Sequence, residues 1–317
     1  MTAVVFFIVA MVFSALAAQG KHPFLEPTGN VSDAFANEIT PSGWTFIIWT
    51  IIYIFLALVC VYTLAGLFRK NAYGYVYCSP AILPHGFFVA WCLNLGLNVG
   101  WLFLWDRRLM AGALVFLILV ALTNYVMIFY SCHSLHIYGA WLSKYHKVDL
   151  WLHRALVSED ISVYVYDVMS QVQNGIAIYA TWTTVASLVN LSIVLVKDAK
   201  MSPEDAVTLS FSLLTVVLLV WFVLENSLLD KYLRHILSIY PAVIWALTGV
   251  FTKNYNTAQP TRNNVFNVAL LGVSCTLLAL RLVLVIWKNM KRPLLEDASP
   301  EVMSPMEIAE RQKKIYI

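Results

Sequence analysis

Trp91, Asn94, Asn98, Trp101 and Trp105 recur at steps of three or four within an otherwise apolar stretch, so a helix through it carries all five along one face. An amide left without a partner in hydrocarbon costs roughly 2–7 kcal/mol, so Asn94 and Asn98 must turn toward the bundle interior, another helix or a ligand. The pattern returns at Tyr179, Trp182, Ala186 and Asn190, and again at Trp49 and Tyr53. Flat aromatic surfaces with a few amide donors and acceptors equip a protein for recognition rather than for bond making. They suit an apolar cavity that orients a small molecule. The alternative is that Asn98 and Asn190 bridge helices and the tryptophans simply pack. Gly96 and Gly100 form a small-xxx-small pair on roughly the opposite face, where a neighbouring helix is expected to come close.

The sequence offers little for catalysis. Cys132-His133-Ser134-Leu135-His136 holds a thiol and two imidazoles, but their spacing matches no zinc pattern. There is no evident Ser-His-acid set, phosphate-cradling glycine loop or carboxylate pair inside an apolar run. Glu225 and Arg281 lie toward the ends of such runs, where they are expected to snorkel. No enzymatic activity, cofactor or metal is therefore expected.

The elements that must position these residues follow from composition. Of 317 residues 60% are hydrophobic and 12% charged, with a mean hydropathy of +0.71, against about 25% charged in an ordinary soluble domain. A soluble globular domain and a disordered chain are both excluded. The net charge of +3 is scattered and leaves no footprint for nucleic acid. Five cysteines is an odd count, and Cys60, Cys92 and Cys275 sit inside apolar runs, so no disulfide framework is expected.

A bilayer core of roughly 30 Å needs about 20 apolar residues per helix. Eight runs approach that length: residues 3–19, 44–67, 86–105, 109–131, 174–196, 206–224, 236–252 and 264–287. The chain is thus predicted to be an all-α polytopic membrane protein with the lipid bilayer as its obligatory partner. Pro241 is expected to kink the seventh span. With eight spans both termini share a side, and that side carries about twice as many Lys and Arg as the other, so both are predicted cytoplasmic.

The first loop then faces outward or into a lumen, and Asn30-Val31-Ser32 within it is a glycosylation acceptor triplet. Trp141, Tyr145, Val148 and Leu152 recur at helical spacing beside Lys144, Lys147 and Arg154, which predicts an amphipathic helix on the cytoplasmic interface. Residues 158–172 are expected to form neither a span nor a surface helix. Residues 289–317 read as a flexible cytoplasmic tail whose Ser299-Pro300 and Ser304-Pro305 suit phosphorylation.

Pro41-Ser42-Gly43-Trp44-Thr45-Phe46, followed by Trp49-Thr50-Ile51-Ile52-Tyr53, resembles the start of the second helix in the translocator-protein/tryptophan-rich sensory protein (TspO/MBR) family. Leu97-Asn98-Val99-Gly100-Trp101 is similar to that family's Leu-Asn-x-x-Trp element, and Trp182, Ala186 and Asn190 match its fifth helix. The elements occur in family order. The resemblance implies a five-helix bundle over residues 1–197, with residues 3–19 as the first helix and a hydrophobic pocket capped by the first loop. In that family the pocket takes porphyrins, sterols and benzodiazepine-type compounds.

Carried over by position, Trp44, Trp49, Asn98, Trp101, Trp182 and Asn190 become pocket or pocket-support residues, beside Tyr53, Asn94, Trp105, Tyr179 and Ala186 from the spacing argument. The first loop departs from the family in lacking its Trp-Tyr pair and Lys-Pro element. The interval from Trp44 to Trp49 is one residue short of the five-helix mitochondrial type and fits the longer branch, which accounts for three additional transmembrane helices at 198–288. On the same comparison His153-Arg154-Ala155-Leu156-Val157 should run almost directly into Gln173-Asn174-Gly175-Ile176, which marks 158–172 as an insertion.

The leading expectation is a membrane protein that binds a flat hydrophobic molecule, a porphyrin or a sterol, as sensor, carrier or scavenger; a homodimer is a further expectation. Two competitors remain. A seven-helix receptor with a cleaved signal peptide fits the Ser14-Ala15-Leu16-Ala17-Ala18 stretch, although no Lys or Arg precedes the first run. A secondary transporter would show repeated halves, and spans one to four do not repeat in five to eight.

Overall fold

The computed structural model describes residues 1–68, 70–71, 74–75, 83–145, 147–148 and 163–291, together with residues 307 and 310. The fold is all-α. Helix α1 (Thr2–Gln19) leads through the short α2 (Thr28–Ala34) and a 3-10 turn (Gly43–Ile47) into α3 (Ile48–Phe68). Then come α4 (His85–Asp106), α5 (Met110–Tyr145), α6 (Val165–Lys197), α7 (Pro203–Asn226), the single turn α8 (Asp230–Leu233), α9 (Ile239–Asn254) and α10 (Arg262–Lys291). Two antiparallel pairings of two residues each join Lys70–Asn71 to Gly74–Tyr75 and Lys147–Val148 to Val163–Tyr164.

Local chemistry sets several boundaries. Gly20 closes α1 in the left-handed conformation (φ 62°), a position where a Cβ would lie 2.6 Å from Pro27. Ser202 caps α7, its Oγ accepting from the Asp205 amide at 3.1 Å with Pro203 at the first helical position.

The helices pack into one bundle. α5 lies between α4 and α6, α1 leans on α4, α3 on α6, α7 and α9 each close against α6, and α10 closes against α7 and α9. Buried apolar side chains of α7, α9 and α10, among them Phe211, Leu247 and Leu270, belong to the same continuous core as Phe87 and Trp91 of α4. Gly100 of α4 faces α5, with Phe116 where its Cβ would be; Gly96 turns instead toward Phe6 of α1.

Among the described residues seven helices are long and apolar enough to cross a membrane: Thr2–Gln19, Gly43–Phe68, His85–Asp106, Met110–Ile137, Val172–Lys197, Pro203–Asn226 and Arg262–Lys291. The expected count of eight is corrected at the 236–252 run. Its helix α9 has 16 residues, about 24 Å at 1.5 Å per residue, and falls short of a full span. It nevertheless joins the two ends of the bundle. At its start the Asn174 carboxamide oxygen of α6 accepts from the backbone of Leu237 (2.9 Å) and Ser238 (3.2 Å). At its finish Asn254 Nδ2 donates to the Thr40 carbonyl at 2.9 Å. Pro241 sits in the first turn of α9, where it lacks no helical bond, so it starts the helix rather than kinking it.

Three other expectations change. The interfacial helix is not separate, because α5 runs unbroken to Tyr145; Val148 pairs with Val163, and Leu152 and Arg154 lie outside the described residues. Within 158–172, residues from Val165 onward are the first turns of α6, while 158–162 lie outside the described residues, as does nearly all of the tail.

Glu225 and Arg281 do not snorkel. They are 1% and 0% exposed, with Arg281 Nε 3.7 Å from Glu225 Oε1. The guanidinium donates to Asn226 Oδ1 (2.8 Å) and the Leu233 carbonyl (2.9 Å), while the carboxylate accepts from Trp221 Nε1 (3.1 Å) and from the Tyr240 hydroxyl. Asp230 adjoins them, paired with Arg234 at 2.6 Å and Lys288 at 3.0 Å.

Candidate functional site

A cavity of about 480 Å³ lies between α1, α3 and α4 at the end of the bundle capped by residues 20–42. The α1 wall is made of small or slender side chains, Met11, Ser14, Ala15 and Ala18, which leave space where larger ones would fill it. Opposite them stand Trp49, Thr50 and Tyr53 of α3 and Asn98, Trp101 and Leu102 of α4. The roof is Thr28 and Gly29 of α2 with Gly43 and Phe46 of the 3-10 turn. The volume falls within the roughly 300–1,000 Å³ typical of small-molecule sites.

The aromatic wall is ordered. Trp49 and Trp101 lie nearly parallel, 6.0 Å between centroids and 21° between planes, and Tyr53 continues the row 6.3 Å from Trp49. Beside it runs a short polar chain in which Asn98 Nδ2 donates to the Tyr53 hydroxyl at 3.1 Å and that hydroxyl bonds Ser14 Oγ. The buried indole N–H of Trp101 has no partner among the described residues. The wall therefore offers flat apolar surface and a hydroxyl-amide chain.

The eleven residues singled out from sequence part company here. Trp49, Tyr53, Asn98 and Trp101 line the cavity. Tyr179 and Trp182 of α6 stand behind it, Tyr179 edge-on to Trp49 at 5.8 Å and Trp182 edge-on to the roof residue Phe46 at 6.1 Å. Trp105 donates its indole N–H to the Thr28 carbonyl at 3.2 Å and so ties α4 to the roof. Ala186 packs against the apolar cluster around Trp101 and Trp105.

Asn94, Asn190 and Trp44 do not line the cavity. Asn94 Nδ2 reaches α5, at the Val120 carbonyl (2.9 Å) and Thr123 Oγ1 (2.8 Å). The Asn190 amide, turned to satisfy both groups, spans to the Met110 carbonyl (3.2 Å) and the Leu114 amide (3.0 Å). Trp44 is 39% exposed and leans against Trp245 of α9 at 4.8 Å, because α9 occupies the space beside the turn.

Elsewhere, His133 stacks on Phe129 at 5.8 Å and the exposed His136 meets Tyr232 edge-on at 4.7 Å. Asn30 is exposed on α2, with Val31 and Ser32 turned inward. Sequence reasoning missed the α1 wall, whose only polar signal is Ser14. It also missed the asparagines that bind the loops: Asn37, Asn174, Asn254 and Asn263.

A bundle of membrane-length helices enclosing an aromatic-lined hollow is an integral, multi-pass membrane protein. A family model described as TSPO-like protein matches residues 1–286, and the chain belongs to that family. No curated protein and no solved structure matches it.

Proposed function

We propose that the protein binds a flat hydrophobic molecule of tetrapyrrole or sterol type in the cavity between α1, α3 and α4, as its sensor, carrier or scavenger rather than as an enzyme. One observation carries the reading: about 480 Å³ of space beside the parallel indoles of Trp49 and Trp101, with the Asn98–Tyr53–Ser14 chain as its polar fixing point. Trp49, Tyr53, Asn98 and Trp101 are the residues that touch the guest. Helix α1 contributes a full wall, which favours this reading over a receptor that has shed its first helix. Although short, α9 returns the chain to the capped end, so both termini lie at the opposite end, and the excess of Lys and Arg there favours a cytoplasmic location for both.

The test is an equilibrium titration of the purified protein with protoporphyrin IX, followed in the Soret band, with cholesterol as competitor. Asn98→Ala and Trp101→Ala are expected to weaken saturable binding about tenfold, equivalent to roughly 1.4 kcal/mol, and Trp287→Ala on the outer face of α10 to leave it unchanged. Equal effects in all three folded variants would remove the cavity from the account. Orientation is read separately: a glycan lost in Asn30→Gln places the capped end in a lumen or outside.

A further inference from the structure

The roof of the cavity is fastened from two directions. Its first half is held by α4, where the Asp106 carboxylate accepts from the amides of Leu25 (2.9 Å) and Glu26 (3.4 Å), and Arg108 pairs with Glu26 at 2.6 Å. Its second half is held by α9 and α10. The Ser42 amide donates to the Gly249 carbonyl at 3.0 Å, Trp245 Nε1 to the Thr45 carbonyl at 3.0 Å, and Asn254 Nδ2 to the Thr40 carbonyl at 2.9 Å. Asn263 of α10 adds a bond to Glu38 at 2.5 Å.

These ties are aimed at the backbone. Three of them fix carbonyl or amide groups on both sides of Gly43, and Phe46 follows directly; both residues are part of the cavity roof. The approach is as close as the chain allows, since a Cβ on Gly249 would lie 2.0 Å from Thr45 Cγ2. The other end of α9 is equally pinned, because Asn174 takes the amides of Leu237 and Ser238 on its oxygen and gives its Nδ2 to the His235 carbonyl at 3.0 Å. Helix α9 is thus a rod anchored on α6 at one end and on the roof at the other.

We infer that the C-terminal helices serve the cavity as a clamp: α9, backed by α10, holds residues 37–47 down and sets how fast a guest enters and leaves. This rests on the proposed function, and its test separates the two. Hydrogen exchange of the full chain, without ligand, is followed at residues 37–47 in Trp245→Phe, which keeps the ring and drops the donor, in Asn254→Ala, and in Gly249→Ala as a wedge.

Exchange at 37–47 is expected to rise about fivefold in each single variant, the scale of one lost hydrogen bond, with residues 23–28 unchanged. Protoporphyrin IX association and dissociation should both accelerate by a similar factor. Unchanged exchange at 37–47 in folded variants overturns the clamp, and so does faster exchange with unaltered protoporphyrin kinetics. Faster exchange in a protein that binds protoporphyrin in no form keeps the clamp on the roof and discards the proposed ligand class.

Discussion

Two corners of the bundle handle polar atoms in hydrocarbon in opposite ways. Where α7, α8 and α10 meet, Arg281, Glu225 and Asp230 are packed solid and tied to carbonyls, an indole, a phenol and further charges. Where α1, α3 and α4 meet, Ser14, Tyr53 and Asn98 bond chiefly to one another beside open space. A buried ion pair spends its charges on the protein itself, whereas the hollow corner sets the Tyr53 hydroxyl and the Asn98 amide in the wall of a cavity. The contrast separates polar residues that hold the bundle from those that can address a guest.

The largest effect that would sharpen this contrast comes from the solid corner. Arg281→Leu leaves the Glu225 carboxylate buried beside an apolar side chain and is expected to cost about 3–5 kcal/mol in thermal or denaturant unfolding. The double variant Glu225→Gln/Arg281→Leu should recover part of that. No recovery would mean that packing, not charge, holds the corner.

Next comes pH. Burial and the nearby Arg281 guanidinium push His235 down to about 4, from an ordinary value near 6.5. Between those values the unfolded chain binds the extra proton, so stability is full above about pH 7 and falls by about 3 kcal/mol as pH drops toward 4. Unfolding followed across that window should show the loss, and His235→Asn should flatten it.

A smaller effect tests the comparison within one helix. Asn94→Ala removes bonds to α5 and is expected to lower stability by about 1–3 kcal/mol while leaving protoporphyrin affinity unchanged. Asn98→Ala should reverse that order. Smallest of all, Trp287→Ala, on an exposed face with Lys291 over its ring, should stay within about 0.5 kcal/mol.

Hydropathy alone made most of the helices legible, because about 20 apolar residues in a row leave a bilayer few alternatives. It failed at α9, which protein contacts shelter and which therefore does not need a full apolar run. The aromatic stripes led to Trp49, Tyr53, Asn98 and Trp101, yet spacing could not distinguish Asn98 from Asn94. One turn of helix apart on the same stripe, they serve different neighbours, and only the positions of α3 and α5 decide which. The Glu225–Arg281 pair was hidden by 56 residues of separation. The α1 wall was hidden by chemistry, since an absence of bulk at Ala15 and Ala18 reads like any other apolar helix.

The brevity of α9 bears on how the chain is made. A 16-residue segment ending in Lys253 and Asn254 is a poor substrate for the machinery that releases helices sideways into lipid one at a time. In the folded chain it packs on α6 and on α10, so the segment is expected to settle as a hairpin with α10 rather than alone. Until α9 is in place the amide and carbonyls of residues 40–45 lack their partners, so the half of the roof around Gly43 is fastened last. A chain that stops short of α9 would carry every cavity-lining residue and still lack the ties that hold residues 40–45.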